Sequence, residues 1–93
     1  MPYIKQEKRE PFDPIIDQLI VELVNAESDD ELNNMEGNLN YIITRLLKRV
    51  YSSPSYSEIN DAMGMLESCK LEYYRKVAAP YEDQKEFENG TVL

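Results

Sequence analysis

Three stretches of this chain place their apolar residues with the period of an α-helix. In the first, Ile15, Ile16, Leu19, Ile20, Leu23 and Val24 recur at i, i+3 and i+4. Asp13 stands just ahead as an N-cap, and Pro14 fits the first helical position, where its missing N–H does no harm. The spacing predicts a helix over about 13–26. Upstream, "QEKRE" reads as one helical turn stopped by Pro11, and "MPYI" as extended chain.

The second stripe is Leu39, Ile42, Ile43, Leu46, Leu47 and Val50. At the helical period these six fall within an arc of roughly 140°. With Gly37 taken as the break before it, the helix is expected over 38–51. Arg45, Lys48 and Arg49 occupy the other face, and basic residues in a last turn suit the helix dipole. The polar run "NAESDDELNNMEGN" connects the first two helices and is expected to hold a short helix around Glu31 to Met35, with Leu32 and Met35 turned inward.

The third stripe follows "SSPSYSE", where Ser55 and Glu58 match the S-x-x-E capping box. Ile59, Ala62, Met63, Leu66, Cys69, Tyr73 and Val77 line its main face, with Met65 and Leu71 off that face on opposite flanks. Pro80 disfavours helical backbone in the residue before it, so this helix is expected over 56–79. Beyond it, 80–93 reads as a short helix or an ordered tail. Glu82 and Asp83 fall in its first turn, and Asn89-Gly90 marks its stop. Tyr81, Phe87 and Val92 are expected to cover apolar surface that three short helices leave open, while Glu82, Asp83 and Glu86 meet the basic face of the second helix or Lys70. The closing "TVL" could pair with "YI" near Tyr3 as a short terminal β ladder. The pattern as a whole predicts an all-α fold, an antiparallel three-helix bundle with an ordered C-terminal tail, forming a single helical domain over 1–93.

Composition narrows the chemistry. Ninety-three residues give little interior, and chains of this size often rely on a disulfide, a metal or a second copy. Cys69 is the only cysteine, so no intrachain disulfide can form. There is no histidine, which removes the commonest metal ligand and general base. No metal site and no cofactor is implied. The formal net charge of −8 opposes binding to duplex nucleic acid, which needs a basic footprint, and to an anionic membrane surface. No apolar run approaches the ~20 residues of a membrane span, and the N-terminus lacks the apolar stretch of a signal peptide. A cytoplasmic setting is the default.

Several residues invite a functional reading. Angular spacing puts Lys70 in the middle of the third helix's apolar face, among Met63, Leu66, Tyr73 and Tyr74. A buried lysine can serve as nucleophile or base. It can also snorkel to the rim, or pair with a carboxylate or a tyrosine hydroxyl. Arg45 and Arg49 are like charges one turn apart, a mildly unfavourable pair that calls for an acidic neighbour or a phosphate-bearing ligand. Magnesium chemistry of the kind performed by all-helical nucleotide pyrophosphatases needs facing carboxylate pairs. Glu67 and Glu72 are five apart and off one face. The seven tyrosines suit half-buried packing or interface positions.

The opening "MPYIKQ", the helix start "FDPIIDQLI", "GNLNYIITRLL" and above all "KLEYYRKVAAPYEDQKEFENGTV" give the chain a resemblance to a small, uncharacterised family of prokaryotic and phage proteins, a domain of unknown function. The likeness covers most of the chain and is most specific at the C-terminus. The chain departs from the family pattern at Lys76, Ala78 and Thr91, where the family has Arg, Val and Asp, so any role of an acidic group at Thr91 is in doubt. The resemblance supports the domain assignment and brings no activity with it.

The leading expectation is a non-enzymatic helical interaction module, self-associating as a homodimer or binding another protein. The alternative is a small ligand-binding protein or enzyme acting on a phosphorylated compound through Lys70, Arg45 and nearby carboxylates. Tyr41, Arg45, Lys70, Arg75, Tyr81, Glu82 and Asp83 are the candidate binding residues; no catalytic residue is assigned.

Overall fold

Local capping decides where each helix begins. The computed structural model describes residues 2–27 and 34–93. In it α1 spans Gln6–Arg9, a single turn tied back by the Arg9 Nε donating to the Ile4 carbonyl at 2.8 Å. Helix α2 spans Asp13–Glu27. The Phe12 carbonyl accepts from the Ile16 N–H at 2.9 Å, so Phe12 closes the first turn and Asp13 is already helical, one place later than a cap. Pro14 then stands second, where its missing N–H is still one of the unpaired donors of the first turn.

Helix α3 spans Met35–Val50, three residues earlier than a break at Gly37 predicts. Asn34 has extended backbone, and its Oδ1 accepts from the Gly37 N–H at 2.6 Å. Asparagine is among the best N-caps, and it draws Gly37 into the first turn. The short helix expected around 31–35 otherwise lies outside the described residues, apart from Met35, which opens α3. At the other end the Tyr51 N–H bonds the Leu47 carbonyl at 2.8 Å as the backbone leaves the helix.

Helix α4 spans Tyr56–Tyr73, capped by Ser55 Oγ accepting from the Glu58 N–H at 3.2 Å. It does not stop before Pro80. A π segment, Tyr74–Ala78, follows directly, and α5 continues over Ala79–Asn89. Proline inside a helix removes one hydrogen bond and presses its ring on the carbonyl one turn back. The wider π turn relieves the crowding. The Ala79 N–H bonds back to the Tyr74 carbonyl, five residues away, and the chain is already re-phased when Pro80 arrives as the second residue of α5. The expected exit at Pro80 is therefore replaced by helix from Tyr56 to Asn89, about 50 Å at ~1.5 Å per residue. Gly90 ends it with φ of 92°, a backbone region that suits glycine, and its N–H bonds the Glu86 carbonyl at 2.8 Å. No strand occurs among the described residues, so the terminal β pairing is not present.

The chain divides into two compact units, Tyr3–Pro54 and Ser55–Leu93, the second joined by Pro2. In the first, α2 meets α3 along Leu19, Leu23 and Ala26 on one side and Asn38 and Ile42 on the other, all half-buried. The second is the α4–π–α5 helix. A single helix has nothing of its own to bury an apolar stripe against. Accordingly no described residue in either unit reaches full burial. The protein is all-α.

Candidate functional site

Within each unit the apolar stripes that ordinarily make a core lie open. On α2, Ile15, Ile16, Ile20, Val21 and Val24 are each at least half exposed or close to it. On the long helix, Ile59, Met63, Leu71, Tyr73 and Val77 are similarly open, and Leu66 is half-buried. Burying such a side chain contributes ~1.5–3 kcal/mol. Leaving a row of them in water forgoes most of the stabilisation available to so short a chain.

Among the described residues, concave surfaces sit along these stripes. One runs along the seam of α2 and α3, about 330 Å³ in volume, walled by Leu19, Leu23, Ala26 and Ile42 and edged by Glu22 and Tyr41. Asn38 also lines it, and the Asn38 Nδ2 is buried without a hydrogen-bond partner. A buried donor left unpaired costs ~1–3 kcal/mol. The sequence carried a signal for it: Asn38 stands four residues before Ile42, on the apolar stripe itself.

The second surface continues onto the basic face of α3. Tyr41, Ile42, Arg45, Leu46 and Arg49 line a groove of about 320 Å³. One turn separates Tyr41 from Arg45, whose Nη1 donates to the tyrosine Oη at 3.2 Å. The hydroxyl holds one edge of the guanidinium. Among the described residues neither Arg45 nor Arg49 is in an ion pair.

The third surface lies on the long helix. Met65, Cys69, Tyr73 and Val77, four residues apart, form a ridge that joins Ser68, Glu72, Lys76 and Pro2 around a mainly apolar groove of about 490 Å³. The π turn keeps Val77 in line with the residues before it. Cys69 is exposed. The sequence reading placed Met65 on a flank; the groove makes it part of a continuous ridge.

The remaining candidate residues also lie on this helix. Lys70 is not enclosed. Its Nζ pairs with Glu67 Oε1 at 3.2 Å, and its side chain is 72% exposed. Of the readings left open for it, a buried base, a snorkelling stem or a carboxylate pair, the structure shows the pair, with a partner on its own helix. Arg75 Nη2 pairs with Glu72 Oε1 at 2.9 Å. Tyr81 carries the Lys85 ammonium 5.5 Å from its ring centre. Glu82 lies in the first turn of α5 and Asp83 just after it, one place later than a helix starting at Pro80 predicts; with Glu86 and Asn89 they border a shallow depression. Phe87, Val92 and Leu93 are almost fully exposed, so these apolar tail residues cover nothing within their unit. The structure thus brings Tyr41 and Arg45 together, and strings Lys70, Arg75, Tyr81, Glu82 and Asp83 along one helix.

Among the described residues no group of three metal-ligating side chains converges, and no helix is long and apolar enough to cross a membrane. No curated protein and no solved structure matches the chain. One family does, over residues 1–92, and by that match the chain belongs to DUF6899, a domain of unknown function.

Proposed function

We propose that this chain is a non-enzymatic interaction module that completes its fold by self-association. The observation that carries the reading is the absence of any fully buried side chain among the described residues, beside apolar stripes on every long helix. Exposed apolar patches of this extent mark interfaces. Obligate homodimer interfaces resemble a domain core cut in two, and α2, α3 and α4 each offer one face to such a shared core. In the assembled state they would contribute to a single helical bundle, with residues 1–93 acting as one domain.

The competing reading, a binder of a phosphorylated compound through Arg45 and Lys70, has less support. The Lys70 ammonium is engaged by Glu67 on its own helix. Sedimentation equilibrium across a range of concentrations tests self-association. A dimer or higher species is expected, with helix content and melting temperature rising as the protein is concentrated. A strict monomer at millimolar concentration would defeat the reading.

A further inference from the structure

The polar groups of α5 divide into two faces. On one, Gln84 Nε2 donates to Glu88 Oε1 at 3.2 Å, Lys85 Nζ pairs with Glu88 Oε2 at 3.4 Å, and Lys85 stands over Tyr81. These residues satisfy one another. Glu82, Asp83, Glu86 and Phe87 occupy the other face, within an arc of roughly 140° at 100° per residue. Among the described residues these three carboxylates make no ion pair. Phe87 beside them is 86% exposed.

The groove on α3 is built to the same plan with the charge reversed. Arg45 and Arg49 form a row one turn apart, and Ile42 and Leu46 form an apolar row beside it. Tyr41 fixes Arg45 through its hydroxyl. Laid together, a carboxylate row would meet a guanidinium row while the phenyl ring meets the aliphatic floor. Helices docking in grooves use this combination, and aromatic and arginine residues are enriched at the energetic centres of interfaces.

We propose that α5 of one copy lies in the α3 groove of a second copy, with Glu82 and Glu86 against Arg45 and Arg49 and Phe87 over Ile42 and Leu46. The inference rests on the self-association reading and specifies its surface. A second copy is the occupant because each chain carries both halves of a complementary pair. A two-fold dimer then forms the contact twice, residue i of one copy meeting residue j of the other and the reverse. The same association also supplies cover for the apolar stripes outside the contact.

Complementary charge reversal in the full chain tests it. Arg45→Glu with Arg49→Glu makes one variant, and Glu82→Arg with Glu86→Arg the other. Each alone is expected to raise the dimer dissociation constant by tenfold or more, as about 1.4 kcal/mol is tenfold. An equimolar mixture, followed by sedimentation velocity with one variant fluorescently labelled, is expected to form a heterodimer more tightly than either variant forms a homodimer. Phe87→Ala, which alters no charge, is expected to weaken the wild-type dimer as well. Circular dichroism of each variant establishes that its helices are intact. Dimers unaffected by all of these changes would overturn the inference and leave self-association standing on another surface. A monomeric wild type would remove both. A monomer whose melting temperature falls with each reversal and recovers when all four are combined in one chain would place α5 in its own α3 groove, and would equally overturn the inference.

Discussion

The start of α3 depends on a contact tight enough to reverse the sign of a mutation. Asn34 Oδ1 lies 2.6 Å from the Gly37 nitrogen, and a Cβ added at Gly37 would stand 2.9 Å from that same oxygen. In the wild-type background Gly37→Ala therefore has two opposed effects. Replacing glycine by alanine in a helix contributes up to ~1 kcal/mol. Displacing the asparagine from its capping position forfeits ~0.5–2 kcal/mol. The net change is near zero or unfavourable. Asn34→Ala alone removes the cap and costs about 1 kcal/mol. With that side chain gone, nothing obstructs the new Cβ, and Gly37→Ala becomes stabilising by up to ~1 kcal/mol. The double-mutant cycle thus carries a coupling of about 1 kcal/mol, readable as ~4–8 °C in melting temperature for a domain of this size. Thermal denaturation followed by far-ultraviolet circular dichroism, with all four proteins at one concentration, measures it. Additivity within ~0.5 kcal/mol would refute the capping geometry.

Three further outcomes follow from the long helix. Lys70→Met is expected to move the melting temperature by less than about 4 °C, because an exposed ion pair contributes ~0–1 kcal/mol; a large loss on thermal denaturation would mean the lysine is enclosed after all. Pro80→Ala restores an N–H and removes the reason for the π turn, which would rotate α5 by roughly 100° relative to α4. Helix content by circular dichroism should hold or rise while self-association weakens in sedimentation, and an unweakened assembly would show that the phase of α5 does not matter. Deleting residues 81–93 is expected to lower the melting temperature by several degrees, more so as the protein is concentrated, since the truncation removes packing between chains. An unshifted melting curve would exclude the tail from the assembly.

Much of the helical architecture was legible because it is local. Ser55 and Glu58 announce a helix start by hydrogen-bonding capacity alone, and Asn89-Gly90 announces a stop. Two features were misread for a shared reason. Gly37 and Pro80 look like breakers when taken singly, yet a cap three residues upstream of one, and a widened turn just ahead of the other, absorb both into helix. The surroundings of Lys70 stayed open for a different reason. Angular spacing identifies which residues share a face, and it cannot say what covers that face. The same limit applies to Phe87, whose aromatic ring reads as core material and stands in the open.

The basic face of α3 was visible as Arg45, Lys48 and Arg49, since charges opposite an apolar stripe need no tertiary knowledge. The Tyr41–Arg45 hydrogen bond was accessible to the same reasoning, being one turn apart on one helix. The orphaned Asn38 amide was half legible: its place on the apolar stripe shows in the sequence, its lack of a partner only where α2 meets α3. Polar residues retained inside apolar seams can fix register at a cost in stability, and Asn38 is placed to do so.

The π turn is expected to divide a helix that is continuous to the eye into two blocks with separate rates of opening. Pro80 can donate no backbone hydrogen bond, so one carbonyl in the turn ahead of it loses its partner to water. Amide exchange should therefore proceed fastest around 74–80, with α4 and α5 protected as independent stretches on either side. A break in protection at the π turn, with α5 exchanging faster than α4, is the expected sign that the C-terminal block can open while α4 stays helical.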